Sequence, residues 1–330
     1  MCAFEKDPTP AIVVFEGVVL TATAAVLYTF RRFDPKVVRR FVTIAVGVLI
    51  FEVFTAPMWL NQHLGVWAYV YHDVSWILTA GWTTLILATV VLVDRRLHTW
   101  RATSRFGVYL AILTAVVLVA EAVVVNLGIR SYSPEVRQTV VGIFIAGVPI
   151  EALYYVPVFM ALVIGLYKYW AFVIDDELLA PVLKKRWWRT LGLTALAVLL
   201  FELMIEPMVV NRGFPSWTYV YRDITLVMTG LWVVLITAAT IVIDKVFLHL
   251  DLRVRFIGYL GLIGTLALPI EAWFIRHGFR IYGPSASAEF TGFRTPVFDV
   301  PVEVAFAIPL YMALIVGFTR YWEIVAENRR

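Results

Sequence analysis

Nine apolar runs, each about as long as a bilayer is thick, leave this chain very few ways to fold. They fall at about 11–30, 38–60, 74–94, 104–126, 139–167, 188–210, 224–247, 254–275 and 299–319. A helix needs roughly 20 apolar residues to cross a hydrocarbon core of about 30 Å. Lipid offers free backbone groups no hydrogen-bond partner, so every run reads as a helix. The chain is 61% hydrophobic and only 16% charged, whereas a soluble domain carries charge on about a quarter of its residues. The expected fold class is therefore all-α, a polytopic transmembrane helix bundle of about nine helices. The first ten residues carry Glu5, Lys6 and Asp7, which does not read as a cleavable leader.

The same stretch occurs twice. Residues 51–73 read FEVFTAPMWLNQHLGVWAYVYHD and residues 201–223 read FELMIEPMVVNRGFPSWTYVYRD, with ten of 23 positions identical, among them Glu52/Glu202, Asn61/Asn211, Trp67/Trp217, Tyr69/Tyr219 and Asp73/Asp223. Further on, Asp94 matches Asp244, Glu121 matches Glu271, Gly128 matches Gly278 and Tyr132 matches Tyr282; after a two-residue insertion Pro149-Ile-Glu151 matches Pro301-Val-Glu303. One unit is four helices. An even number returns the chain to its starting side, so the expectation is two parallel four-helix repeats plus one extra helix. The expected division is 1–37 for the first helix, 38–187 for one repeat and 188–330 for the other.

Basic residues set the orientation. Twenty of the 28 Lys and Arg fall in alternate connections and the tail, at 31–40, 95–105, 168–189, 245–255 and beyond 319, against eight on the other side. The positive-inside tendency then puts the N-terminus outside and the C-terminus in the cytoplasm of an integral cell-membrane protein. It also accounts for the basic pI without a nucleic-acid partner, since the charges flank apolar spans.

That topology converts a list of acids into a location. Glu52, Glu121, Glu202, Glu206 and Glu271 lie on outward-running helices, Glu16, Glu151 and Glu303 early on inward-running ones, and Asp73 and Asp223 open inward-running ones, so all ten gather in the outer half. A charge at the bilayer centre costs on the order of 3 kcal/mol or more, so intramembrane acids usually face the bundle interior and mark function. A carboxyl there that keeps its proton can give it to a substrate. A plainer reading stands beside this: Glu52, Glu202, Asp73 and Asp223 could each hold an indole or phenol and lock two helices. Trp67, Trp217, Tyr69 and Tyr219 fit an interfacial aromatic belt as well as a substrate wall, which Asn61, Asn211, Tyr154 and Tyr155 would complete.

Other chemistries find little. The single Cys2 excludes an internal disulfide and a thiolate metal cage. The five His share no helix face with ligand spacing, and no Gly-rich phosphate loop appears, so no metal or cofactor is expected. Asp175-Asp176-Glu177 stands alone among basic residues and reads as a solvated connection.

Residues 121–160, EAVVVNLGIRSYSPEVRQTVVGIFIAGVPIEALYYVPVFM, resemble the integral-membrane, flavin-free lycopene cyclase domain of bacteria, archaea and fungi. In that family a helix ending Leu-Gly-x-Trp-x-Tyr-x-Pro precedes one opening Pro-x-Glu-Glu/Asp and two aromatics. Here Leu127-Gly128, Tyr132, Pro134, Pro149, Glu151 and Tyr154-Tyr155 take those places, and in the second unit Gly278, Tyr282, Pro284, Pro301, Glu303 and Phe306. Arg130 and Arg280 replace the Trp, and Ala152 and Val304 the second acid. The resemblance implies Glu151 and Glu303 as acid positions, with Glu121, Glu271, Glu52 or Glu202 supplying a partner. It implies a cofactor-free cyclase or isomerase that protonates a double bond of a carotenoid or other polyprenyl chain in the bilayer. A proton-coupled transporter and a non-catalytic lipid-binding protein are the alternatives.

Reporter fusions after Arg40 and Asn126 test the orientation. The first should report cytoplasm and the second the exterior, and the reverse pair of signals would turn the chain over.

Overall fold

The computed structural model describes residues 7–175 and 187–328; Cys2, Asp176 and Glu177 lie outside them. Among the described residues there are eleven α-helices: α1 (Pro10–Arg31), α2 (Val37–Thr55), α3 (Trp76–Arg96), α4 (Ala102–Asn126), α5 (Pro134–Thr139), α6 (Ala152–Ile174), α7 (Trp187–Ile205), α8 (Leu226–Val246), α9 (Leu252–Arg276), α10 (Pro284–Ala288) and α11 (Val302–Asn328). Eight of these, all but α2, α5 and α10, are long and apolar enough to cross a membrane, which makes this a polytopic membrane-helix protein. Helix α2 has 19 residues, but Arg39, Arg40 and Glu52 put three charges into it.

The chain divides into two compact units, up to Tyr167 and from Lys168 onward. In the first, α3 packs on α1, α2 and α4; α6 lies on α2, where Phe51 and Phe159 stack with ring centroids 3.9 Å apart. In the second, α7 packs on α8 and α11, and α9 also on α8 and α11. The sequence repeat is a repeat of local structure: α2 to α6 and α7 to α11 each run long helix, 3-10 turn, short strand, second 3-10 turn, short hairpin, two long helices, short strand, short helix and long helix, with a further hairpin before α6 in the first copy and α1 standing outside the repeat.

Three expectations need correction. The runs at 38–60 and 188–210 are not helical throughout. At Pro57 and Pro207, which have no N–H to donate, the helix tightens into the turns Ala56–Met58 and Glu206–Met208 and then extends as the strands Trp59–Asn61 and Val209–Asn211. The Trp-x-Tyr-x-Tyr segments are likewise partly extended, Tyr69–Tyr71 pairing with Val74–Ser75 and Tyr219–Tyr221 with Ile224–Thr225. The run at 139–167 is misplaced: α6 begins only at Ala152. Gly142 and Gly147 adopt positive φ and Phe144–Ile145 pairs with Val148–Pro149, so the apolar residues before 150 form a hairpin instead of a turn of helix.

Helix ends follow local chemistry. Thr9 caps α1 by accepting from the Ile12 N–H with Pro10 in the first helical position, Thr225 caps α8 and Asp251 caps α9, each satisfying an N–H that lacks an intrahelical partner. Helices α4 and α9 end alike. Gly128 and Gly278 turn to φ +74° and +71°, the N–H of Ile129 returns to the Val124 carbonyl and that of Phe279 to the Phe274 carbonyl. This left-handed termination reverses the chain and delivers the strands Arg130–Tyr132 and Arg280–Tyr282. They pair antiparallel with Trp59–Asn61 and Val209–Asn211, in a register that sets Asn61 opposite Arg130 and Asn211 opposite Arg280.

Gly128→Ala and Gly278→Ala force a Cβ into the left-handed region and should each destabilise by about 1 kcal/mol or more. Gly107→Ala, inside α4 with nothing within 4 Å of the added Cβ, should be neutral or stabilising. Thermal unfolding in detergent gives the comparison, and equal effects at all three positions would refute the role assigned to the two terminal glycines.

Candidate functional site

At one end of each unit the helix ends and the strand pair bring the acids together. In the first unit Arg130 is the hub. Its Nε donates to Asn61 Oδ1 at 3.0 Å and its Nη1 to Glu121 Oε2 at 2.9 Å, while the Tyr132 hydroxyl donates to Glu121 Oε1 at 3.1 Å. Asn61 also holds Asp73: its backbone N–H donates to Asp73 Oδ2 at 3.1 Å and its Nδ2 to the Asp73 carbonyl at 3.0 Å. The guanidinium carbon lies 5.5 Å from the Trp59 ring centroid and 6.0 Å from that of Trp82, within range of a cation–π attraction. Asn61, Asp73, Glu121 and Arg130 are all buried. Glu16 joins from α1, accepting from the Gly65 N–H at 3.0 Å.

The second unit repeats the plan. Asn211 Nδ2 donates to the Asp223 carbonyl at 2.8 Å, the Tyr282 hydroxyl donates to Glu271 Oε1, and Arg280 Nη1 lies 3.6 Å from Glu271 Oε2. Glu206, in the turn after α7, pairs with Arg222 at 3.4 Å.

The remaining acids have neutral partners. Glu52 accepts from the Thr79 hydroxyl and Glu202 from that of Thr229; both carboxyls are buried. Glu151 sits just before α6, where its Oε1 accepts from the Val141 N–H at 2.5 Å. Glu303, in the first turn of α11, accepts from both the N–H and the hydroxyl of Thr291. In each the other oxygen, Oε2, is buried without a hydrogen-bond partner. Glu151 and Glu121, an acid position and one of its candidate partner acids, have different hydrogen-bond partners: the hairpin before α6 for one, a guanidinium and a phenol for the other.

Outside the helices, burial and the adjacent carboxylates hold the phenols of Tyr132 and Tyr282 well above the usual tyrosine range, and burial pushes Tyr69 up to about 12. These phenols stay protonated and act as donors. Burial also raises Asp223, against the opposing pull of Arg212.

The aromatic residues divide. Trp67 and Trp217 are 52% and 76% exposed, a position that suits an interfacial belt better than a wall. Tyr69 and Tyr219 turn inward, donating to the carbonyls of Asn61 and Asn211 at 3.3 and 3.1 Å, while Tyr154 and Tyr155 are half-buried with ring centroids 4.5 Å apart. Among the described residues no three His, Cys, Asp or Glu side chains gather as metal ligands would.

The sequence reading passed over two sets of residues. Arg130 and Arg280 entered it as replacements for a Trp, although their recurrence 150 positions apart marked them as part of the repeat. At the opposite end of each unit, Asp94 accepts from Arg105 and Tyr109, and Asp244 from Arg255 and Tyr259. Arg105/Arg255 and Tyr109/Tyr259 keep the same spacing. In the second unit this becomes a buried chain, with Arg320 bridging Asp244 at 2.6 Å and Glu323 at 2.5 Å and the Thr190 hydroxyl donating to Glu323.

Removing one member of a buried ion pair strands the other, at a cost of about 3–5 kcal/mol. Arg130→Met should therefore destabilise the protein strongly, and adding Glu121→Gln should recover much of the loss, giving a clear coupling in a double-mutant cycle of unfolding midpoints. Strict additivity would mean the pair is not the hub described.

Comparison with protein-family models, curated proteins and solved structures gives no match for this chain.

Proposed function

We propose that the protein is a cofactor-free membrane isomerase that cyclises a carotenoid or other polyprenyl chain by proton transfer from a carboxyl group. The observation that carries this reading is the placement of Glu151 and Glu303. Each lies at the start of a long apolar helix, has one oxygen fixed by a backbone N–H, and keeps the other oxygen buried without a partner. A carboxylic acid held in this way can present a proton to an alkene, which makes no hydrogen bond to compete for it. Protonation of a terminal double bond leaves a tertiary cation, attack by a neighbouring double bond closes a ring, and loss of a ring proton to a carboxylate restores the acid count. Substrate and product are then isomers and no electrons are exchanged.

Partners separate the roles. Glu121 and Glu271, each facing an Arg and a Tyr, are positioning residues for the strand pairs. Glu52 and Glu202, held by threonine hydroxyls instead of guanidinium groups, are assigned to accept the returning proton. The resemblance of residues 121–160 to the flavin-free lycopene cyclase domain supports the same assignment and the same substrate class.

A proton-coupled transporter is the second reading, favoured by one observation: the second unit carries an ionic network at each end, Arg280 with Glu271 at one and Asp244, Arg320 and Glu323 at the other. Carriers open one end while closing the other, and ion pairs that break in turn would do this.

Expression in a lycopene-accumulating host, followed by pigment chromatography, tests the first reading. The unaltered protein should convert pigment to an isomer of equal mass. Glu151→Gln or Glu303→Gln should accumulate in the membrane and lose about 100-fold or more of that conversion, the usual scale for a removed general acid. Full activity in both variants rejects proton initiation at these positions, and proton flux into liposomes without conversion favours the carrier.

A further inference from the structure

The two units differ at one point where their sequences agree. In the first, Arg130 closes on its neighbours through direct hydrogen bonds to Asn61 and Glu121. In the second, the same three residue types stand in the same register, with Arg280 directly across the strand pair from Asn211, yet the contacts are not made. Arg280 Nε, Asn211 Oδ1 and Glu271 Oε2 are all buried without a hydrogen-bond partner. Arg280 Nη1 lies 3.6 Å from Glu271 Oε2, an ion-pair separation longer than a hydrogen bond. Asn211 and Arg280 are each 8% exposed and Glu271 1%. Rotating the Asn211 amide does not help, because its Nδ2 is committed to the Asp223 carbonyl. Val209 stands where Trp59 covers Arg130 in the first unit, which leaves less bulk over the guanidinium.

A buried donor and two buried acceptors left unmade are costly, and their chemistry specifies what would satisfy them. The occupant must accept from Arg280 Nε and donate to Asn211 Oδ1 or Glu271 Oε2; a water molecule can donate to both and an alcohol to one. A fully ionised phosphate, a carboxylate or a ketone cannot donate, and an ammonium cannot accept. A hydroxyl oxygen does both. We infer that Asn211, Glu271 and Arg280 of the second unit form a binding site for a hydroxyl group, supplied either by a single water molecule or by the alcohol end of an isoprenoid. The first unit, where the same groups satisfy one another, is the closed structural counterpart. The hydroxyl site itself does not rest on the isomerase reading; the choice of an isoprenoid as the alcohol does, so loss of the geranylgeraniol arm alone leaves the water-filled site standing.

The test is a high-resolution structure of the full-length protein in lipid, determined with geranylgeraniol and with the corresponding hydrocarbon that lacks the hydroxyl. The expected result is an ordered oxygen within hydrogen-bond reach of both Arg280 Nε and Asn211 Oδ1. Density that continues into a chain only with geranylgeraniol assigns the alcohol, and an isolated peak with either probe assigns water. Direct donation from Arg280 Nε to Asn211 Oδ1 with no oxygen between them, whichever probe is present, overturns the inference. Thermal unfolding provides a second readout through Arg280→Lys, which keeps the charge but removes Nε. If the alcohol is the occupant, geranylgeraniol should raise the midpoint of the unaltered protein more than the hydrocarbon does, and that difference should vanish in the variant. A difference that persists undiminished in Arg280→Lys would place the alcohol elsewhere and reject its assignment to this site.

Discussion

The guanidinium of Arg130, buried between Asn61, Glu121 and two tryptophans, determines how the acid-rich end of the first unit is built. A lone charge there would be prohibitive, so Arg130 and Glu121 are each tolerable only because the other is present. The pair in turn requires the chain to leave α4 through a left-handed glycine, since only that reversal brings Arg130 across from Asn61. Asn61 then fixes the Asp73 loop from both its amide and its backbone. A short strand pair at a membrane face is weak by itself; the ionic staple gives it one register.

Chemical partners, more than depth, sort seven of the ten acids. Glu121, Glu206 and Glu271 face guanidinium groups, Glu52 and Glu202 face threonine hydroxyls, and Glu151 and Glu303 face backbone donors with one oxygen left over. A carboxyl hydrogen-bonded to Arg, as Glu121 is to Arg130, is spent on architecture, whereas one beside a hydroxyl or an amide can still gain or lose a proton. The same sorting separates the two units: what is fully satisfied in the first is left open in the second, although the sequence at those positions is the same.

Much of this was legible from the residues. Apolar runs of spanning length place α1, α3, α4, α8 and α9 within a few residues, because lipid permits no alternative for the backbone. The 150-residue recurrence predicted two copies of one local structure. The fifth run failed because hydropathy does not distinguish an apolar hairpin from an apolar helix: residues 139–150 are greasy enough for either, and Gly142, Gly147 and Pro149 decide for the turn. Arg130 and Arg280 were undervalued for a related reason. Read as substitutions in a motif they look like losses, and only their distance to Glu121 and Glu271 reveals them as the acids' counter-charges.

Composition and period therefore determined the class of structure, the number and approximate place of the helices, and the set of acids, all of which depend on local chain chemistry and the solvent it must face. Which acid meets which partner was decided only by the tertiary structure. Hydrogen bonds act over about 3 Å, and whether Arg280 closes on Asn211 as Arg130 does on Asn61 depends on what packs around the three residues, Trp59 over Arg130 in one unit and Val209 at the matching place in the other.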